Sequence, residues 1–293
     1  MRNNPDRLLT CVIRILLLIS MARFARAQQT SEQARCNLST VNSVPSRPSV
    51  SNSTDTTECG VVEVEYGFER FWVADGSHRQ DVSGGLRVGI TPNLDFHWAS
   101  ADYLSLSANG VAVEGFGDTW LGLKYRFFGQ GAHWPGLGFF YQVKIPTSRS
   151  AGLGSGKVDH SLAILFSKDV HPLHFDFNVI PTLIGSERGA GFDHSTGLAL
   201  ATWVPVRSKL GLVLEPYGYT AANSSTPGFA SLTGALSYQV RPRFFLDAGA
   251  DAGITEAAPH KRFFGGFTYA LGNAFSFFRP RSSPLSADTP VRK

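Results

Sequence analysis

The run Ala151-Gly-Leu-Gly-Ser-Gly-Lys157 has the composition of a phosphate-binding loop. Such a loop needs a leading glycine, a Ser or Thr after the lysine, and a helix N-terminus aimed at the phosphate. Here Ala151 takes the first place and Val158 follows the lysine. The residues beyond Asp159 alternate like a strand, so the run reads as an external loop. His160 is the residue type of a general base, as in an outer-membrane lipid hydrolase. Its neighbour Ser161 lies on the other face of the strand, and nothing pairs it with Ser100, the nearest same-face serine. His171, His174 and His194 have no cysteine among them, and the first two fall on opposite faces of one strand end. A zinc site wants four converging ligands. No catalytic residue, metal or cofactor is expected.

The chemistry worth following is spread over many strands. Glu63, Glu65, Glu69, Arg87, Asp95, Asp118, Lys124, Arg126, Lys144, Asp176, Lys209, Glu215, Asp247 and Asp251 each sit opposite an apolar neighbour in an alternating run. Their mixed signs suit cross-strand ion pairs better than a channel of one charge. Their placement makes them lumen-lining candidates if the runs close into a barrel with the apolar face outward.

The runs themselves are plain. Leu121, Leu123, Tyr125 and Phe127 alternate with Trp120, Gly122, Lys124 and Arg126. Leu137, Phe139, Tyr141, Val143 and Ile145 alternate with Gly138, Phe140, Gln142 and Lys144. Leu162, Ile164 and Phe166 oppose Ser161, Ala163 and Ser167. Alternation at period two means a strand with one apolar and one polar face. The pattern recurs from Val61 to Leu271 and gives about twelve strands. Asp102 to Phe116 reads as a long connection. Short turns at Thr91–Asn93, Gly129–Pro135, Val170–Pro172, Val206–Ser208 and Arg241–Arg243 alternate with longer polar loops, the asymmetry of outer-membrane barrels. Tyr125, Phe127, Phe166, Phe175, Tyr238 and Phe244 fall near the short-turn ends, and Trp72, Trp98 and Phe263 near the others. The fold class expected is all-β: a closed antiparallel transmembrane β-barrel. A soluble β-sandwich or lipocalin-like barrel would put the same apolar set inside.

Composition agrees. Charged residues are 17% of the chain and hydrophobic ones 43%. No stretch approaches the roughly 18 apolar residues of a membrane helix. The net charge of +4 does not cluster on one element, which speaks against nucleic acid as a partner. Residues 1–27 read as a signal peptide, with a basic start, an apolar core and cleavage after Ala27 in Ala25-Arg26-Ala27. Residues 28–60 read as an extended, largely unstructured lead-in. Cleavage would leave Cys36 and Cys59, candidates for a disulfide worth about 3 kcal/mol, or else two free thiols. Residues 61–278 form the barrel, and 279–293 a disordered tail.

One group of residues carries a resemblance. Gly117-Asp118, Gly122-x-Lys124-Tyr125, Pro135, Pro146-Thr147, Gly152-x-Gly154-x-Gly156 and Asp159 occur in an order similar to the MetA-pathway of phenol degradation family. The resemblance covers roughly 61–272, with Pro-Thr-Ser at 146–148 where relatives usually read Pro-Thr-Gly. It implies a transporter-like, porin-like barrel of the bacterial outer membrane and establishes no substrate. The reading that follows is a passive channel or transporter for small molecules, apolar or aromatic ones included. Its partners would be outer-membrane lipid, the solute and the barrel-insertion machinery. The alternatives are a non-conducting structural or adhesive barrel and, third, a lipid hydrolase.

Overall fold

The structure, a computed structural model, describes residues 36, 40–73 and 75–274. The signal-peptide and tail segments lie outside them. The strands in chain order are β1 (Val61–Trp72), β2 (His78–Thr91), β3 (Leu94–Ala108), β4 (Val111–Gly115), β5 (Thr119–Phe128), β6 (Gly136–Ile145) and β7 (Asp159–Val170). They continue with β8 (Leu173–Gly185), β9 (Phe192–Arg207), β10 (Leu210–Tyr219), β11 (Phe229–Arg241), β12 (Phe244–Gly253) and β13 (Lys261–Asn273). Every pairing is antiparallel between neighbours, and β1 pairs with both β2 and β13, so the sheet closes on itself.

The wall has twelve positions, because β4 and β5 share one. The upper part of β3, Leu104–Ala108, pairs with β4, and the lower part, Leu94–Ser100, pairs with β5. This corrects the reading of Asp102–Phe116 as a connection. The chain turns at Asn109 (φ 53°) and Gly110 (φ 78°). Two successive positive φ values make the tight turn that matches strand twist, and Asn-Gly is the dipeptide that tolerates them. The same extension moves Trp98 away from a strand end. It lies in mid-wall, since β3 runs on to Ala108.

The sidedness is that of a barrel in lipid. Leu86, Leu123, Leu162, Leu198, Leu236 and Leu246 are all exposed on the outside. Glu63, Asp95 and Glu215 are fully buried, and Lys124 is 2% exposed. A soluble protein reverses this arrangement. At the short-turn end, Tyr125, Phe127 and Phe139 form one ring cluster and Phe244, Phe267 and Tyr269 another. At the opposite end Trp72 meets Phe263 edge to face at 5.7 Å. Two aromatic bands bordering an apolar belt are the mark of outer-membrane barrels.

The outward face sets a first expectation. Leu123→Arg, in the middle of β5, should destabilise the barrel by about 2–4 kcal/mol when refolded into lipid vesicles and unfolded with denaturant. A change near zero would show that the face does not meet hydrocarbon.

Candidate functional site

The interior contains a segment that composition had marked as lead-in. Residues 40–60 are extended, but they are not unstructured. They enter at the short-turn end, where the Ser43 amide donates to Pro242 O, and cross the lumen before joining β1. Along the way their backbone amides find acceptors on successive strands. Val44 N donates to Glu63 Oε1 at 2.6 Å and Ser46 N to Glu65 Oε1 at 2.8 Å. Val50 N and Ser51 N donate to the two oxygens of Glu215 at 2.7 and 2.6 Å. Asn52 exchanges two hydrogen bonds with Asn178, its amide donating and its carbonyl accepting. Thr54 N donates to Ser167 Oγ and Thr57 N to Asp95 Oδ2. An extended strand inside a barrel has no neighbouring strand to satisfy it, so side chains of the wall take that role. Polar composition without periodicity is what such a position requires.

Ion pairs add to the seam. Arg47 pairs with Asp247 at 3.0 Å, and Arg126 with Asp55 at 3.1 Å. Gly67 and Gly266 leave the room that Arg47 fills, since a Cβ at either would meet its guanidinium within 2.6 Å. Arg87 binds Glu63 at 2.5 Å, Glu65 at 2.9 Å and Val44 O at 2.7 Å. The segment ends at Cys59, which is joined to Cys36 in a disulfide with Cα atoms 4.8 Å apart. The plug is therefore enclosed in a covalent loop fixed to the base of β1.

The remaining charged candidates also point inward, with one exception. Asp95 lies 2.9 Å from His97 Nε2. Lys124 Nζ reaches Ser53 O at 3.5 Å. Lys144 pairs with Asp159 at 2.5 Å and Asp118 at 3.7 Å. Asp176 accepts from Ser167 Oγ and Trp203 Nε1. Asp251 accepts from Tyr217 and Thr233 and faces Arg262, which also meets Glu69 at 3.3 Å. Lys209 is the exception and a correction. It is exposed in the two-residue turn between β9 and β10, where the alternation had been carried one residue past the strand. Asn178, Ser167, Thr233, Asp159 and Arg262 are lumen groups left out of the candidate set. The same alternation marks Asn178, Ser167 and Thr233, which carry no charge, whereas Asp159 and Arg262 stand at the first and second residues of their strands, where alternation has too few neighbours to assign a side.

The long loop after β6 lies at the outer end and folds inward. Its Leu153 is buried at 7% exposure, Ser148 N donates to Asp118 Oδ1, and Lys144 Nζ donates to Ser155 Oγ. The loop thus folds into the outer mouth. Between it and the plug lies a chamber of about 1080 Å³. The chamber is floored by Ser46, Arg47 and Asn52 and roofed by Leu153, Gly154 and Ser155. Phe140 faces it beside an apolar cluster with Leu165, Ile180 and Tyr219. His160 and Ser100 both have partners elsewhere: His160 Nδ1 is 2.7 Å from Tyr141 Oη, and Ser100 donates to Asp102. His171 sits in an exposed turn, His194 is exposed, and His174 lies between Asp169 and Asp176.

A closed wall of twelve strands, apolar outside, ionic within and crossed by its own N-terminal segment, is a β-barrel of the outer-membrane type. The sequence profile of the MetA-pathway of phenol degradation family matches residues 45–271, and the chain belongs to that family. Among solved structures it is similar to the COG4313 outer membrane channel from Pseudomonas putida F1. That similarity has a TM-score of 0.60 at 14% identity and covers 74% of this chain and 98% of that one. A NanC porin matches with a TM-score of 0.50 at 9% identity, covering 72% of this chain and 100% of that one. No curated protein sequence matches the chain.

Arg87 is the sharpest test of this interior. Arg87→Met leaves Glu63 and Glu65 facing each other without their cation and should cost about 3–5 kcal/mol in denaturant unfolding. Adding Glu63→Gln to that variant should restore part of the loss.

Proposed function

We propose that the protein is a passive channel of the bacterial outer membrane for small neutral molecules, apolar and aromatic ones included, with its short turns in the periplasm. The observation that carries this reading is the chamber: a space of about 1080 Å³ between plug and outer loop, in a wall whose outside is apolar. Its lining supports a neutral solute. Arg47, Arg79, Arg87 and Lys144 face it, and so do Glu65, Glu69, Asp81 and Asp118. The charged side chains that face it are four of each sign, and each of the four cations is paired with a wall carboxylate, which supports weak discrimination between cation and anion. Phe71, Trp120 and Phe140 on the lining offer apolar contact to uncharged solutes.

The plug supports a second reading, a closed barrel with a structural or adhesive role. A twelve-strand lumen is intermediate between filled and open barrels, so occupancy by the chain itself decides between them. The channel reading takes the plug as a partial obstruction. It also makes lipid, the solute and the insertion machinery the partners, and assigns no catalytic step.

Planar-bilayer recording separates the two. The full chain should give a small conductance with little preference for cation or anion. Deletion of residues 43–57, checked for folding by heat-modifiable migration, should raise it several-fold. Reducing Cys36–Cys59 should move the full chain in the same direction, because one end of the plug is then freed. Silence from both the full chain and the deletion removes the channel reading in favour of the closed barrel.

A further inference from the structure

At the rim of the chamber, three neighbouring strands present one row of inward side chains. Phe71 on β1 lies opposite Arg79 on β2 and opposite Arg262 on β13. The Arg79 guanidinium stands 5.6 Å from the Phe71 ring centroid, and that of Arg262 stands 5.7 Å from the same ring. Arg262 also covers Phe264 at 4.7 Å. The result is a ladder of alternating cation and ring: Arg79, Phe71, Arg262, Phe264.

The two arginines differ in what they have left to offer. Arg262 is 13% exposed and has a ring near it on either side of the ladder. Arg79 is the end of the ladder, 46% exposed and on the chamber wall. Two of its five N–H donors are engaged: Nε donates to Asp81 Oδ1 at 2.9 Å and Nη2 to Asp81 Oδ2 at 2.5 Å. The bidentate carboxylate occupies one fork and its charge offsets the pull on an anionic ligand. The flat face of this charge-compensated guanidinium attracts the π-surface of a ring.

We propose that Arg79 is the stacking platform of a solute-binding station at the outer mouth, and that the station takes planar aromatic molecules without a carboxylate. The ligand extends the ladder by one rung, lying on Arg79 as Arg79 lies on Phe71. This inference rests on the channel reading and narrows its solute from small neutral molecules to flat, unsaturated ones. Saturated rings of the same size gain no cation–π attraction there, and anionic rings meet Asp81.

The probes are benzyl alcohol and cyclohexylmethanol, alike in size and polarity and different in π-surface. Equilibrium dialysis against the full protein in detergent should show benzyl alcohol bound more tightly, and Arg79→Gln should weaken it by roughly two- to fivefold while leaving cyclohexylmethanol unchanged. Arg79→Lys keeps the charge and loses the plane, and should fall between the two. Equal loss for both probes, or no difference between wild type and Arg79→Gln, overturns the station. Conductance measured on the same samples keeps the two claims apart. Selective binding without current sinks the channel and leaves the station, whereas current without selective binding sinks the station alone.

Discussion

The wall exists because hydrocarbon offers no hydrogen bonds. Every backbone N–H and C=O that crosses such a medium must be satisfied within the protein, and for strands that means a ring with no open edge. The pairing of β1 with both β2 and β13 meets that demand. Closure then divides each strand into two solvents. The outer face takes Leu, Phe and Tyr, and the inner face receives most of the groups that lipid would penalise. The dense ionic interior is thus the other side of the same requirement.

That interior has a saturation problem of its own. Carboxylates such as Glu63, Asp95 and Glu215 are fully buried and need donors. Only some of these are arginines and lysines. The rest are peptide amides of the 40–60 segment, which itself has no strand partner through most of its course. Each component supplies what the other lacks. Glu215 shows it best, since its two oxygens accept from the consecutive amides of Val50 and Ser51. The chamber that remains is the space not consumed by this exchange.

Most of the wall was legible because period-two alternation reports sidedness directly. Lys124, Glu65 and Asp247 announced their inward direction from their neighbours alone. Three things were not legible, each for a physical reason. The plug carries no periodicity, because both of its faces meet polar wall, so it resembled disordered chain. The hairpin at Asn109-Gly110 was signalled by its dipeptide, but the flanking residues are too mixed to read as strands unaided. The ladder of Arg79, Phe71, Arg262 and Phe264 depends on register between β2, β1 and β13. Register is a property of pairs of strands, and β1 and β13 are far apart in sequence.

The course of the plug has a mechanical consequence. Its contacts begin at the β11–β12 turn, pass to Glu215 on β10, Asn178 on β8 and Ser167 on β7, and return by Asp95 on β3. It therefore runs round the bore like a hoop set inside staves, binding β10, β8, β7 and β3 to one stretch of backbone, so that displacing any one of these strands outward strains its bonds to that shared chain.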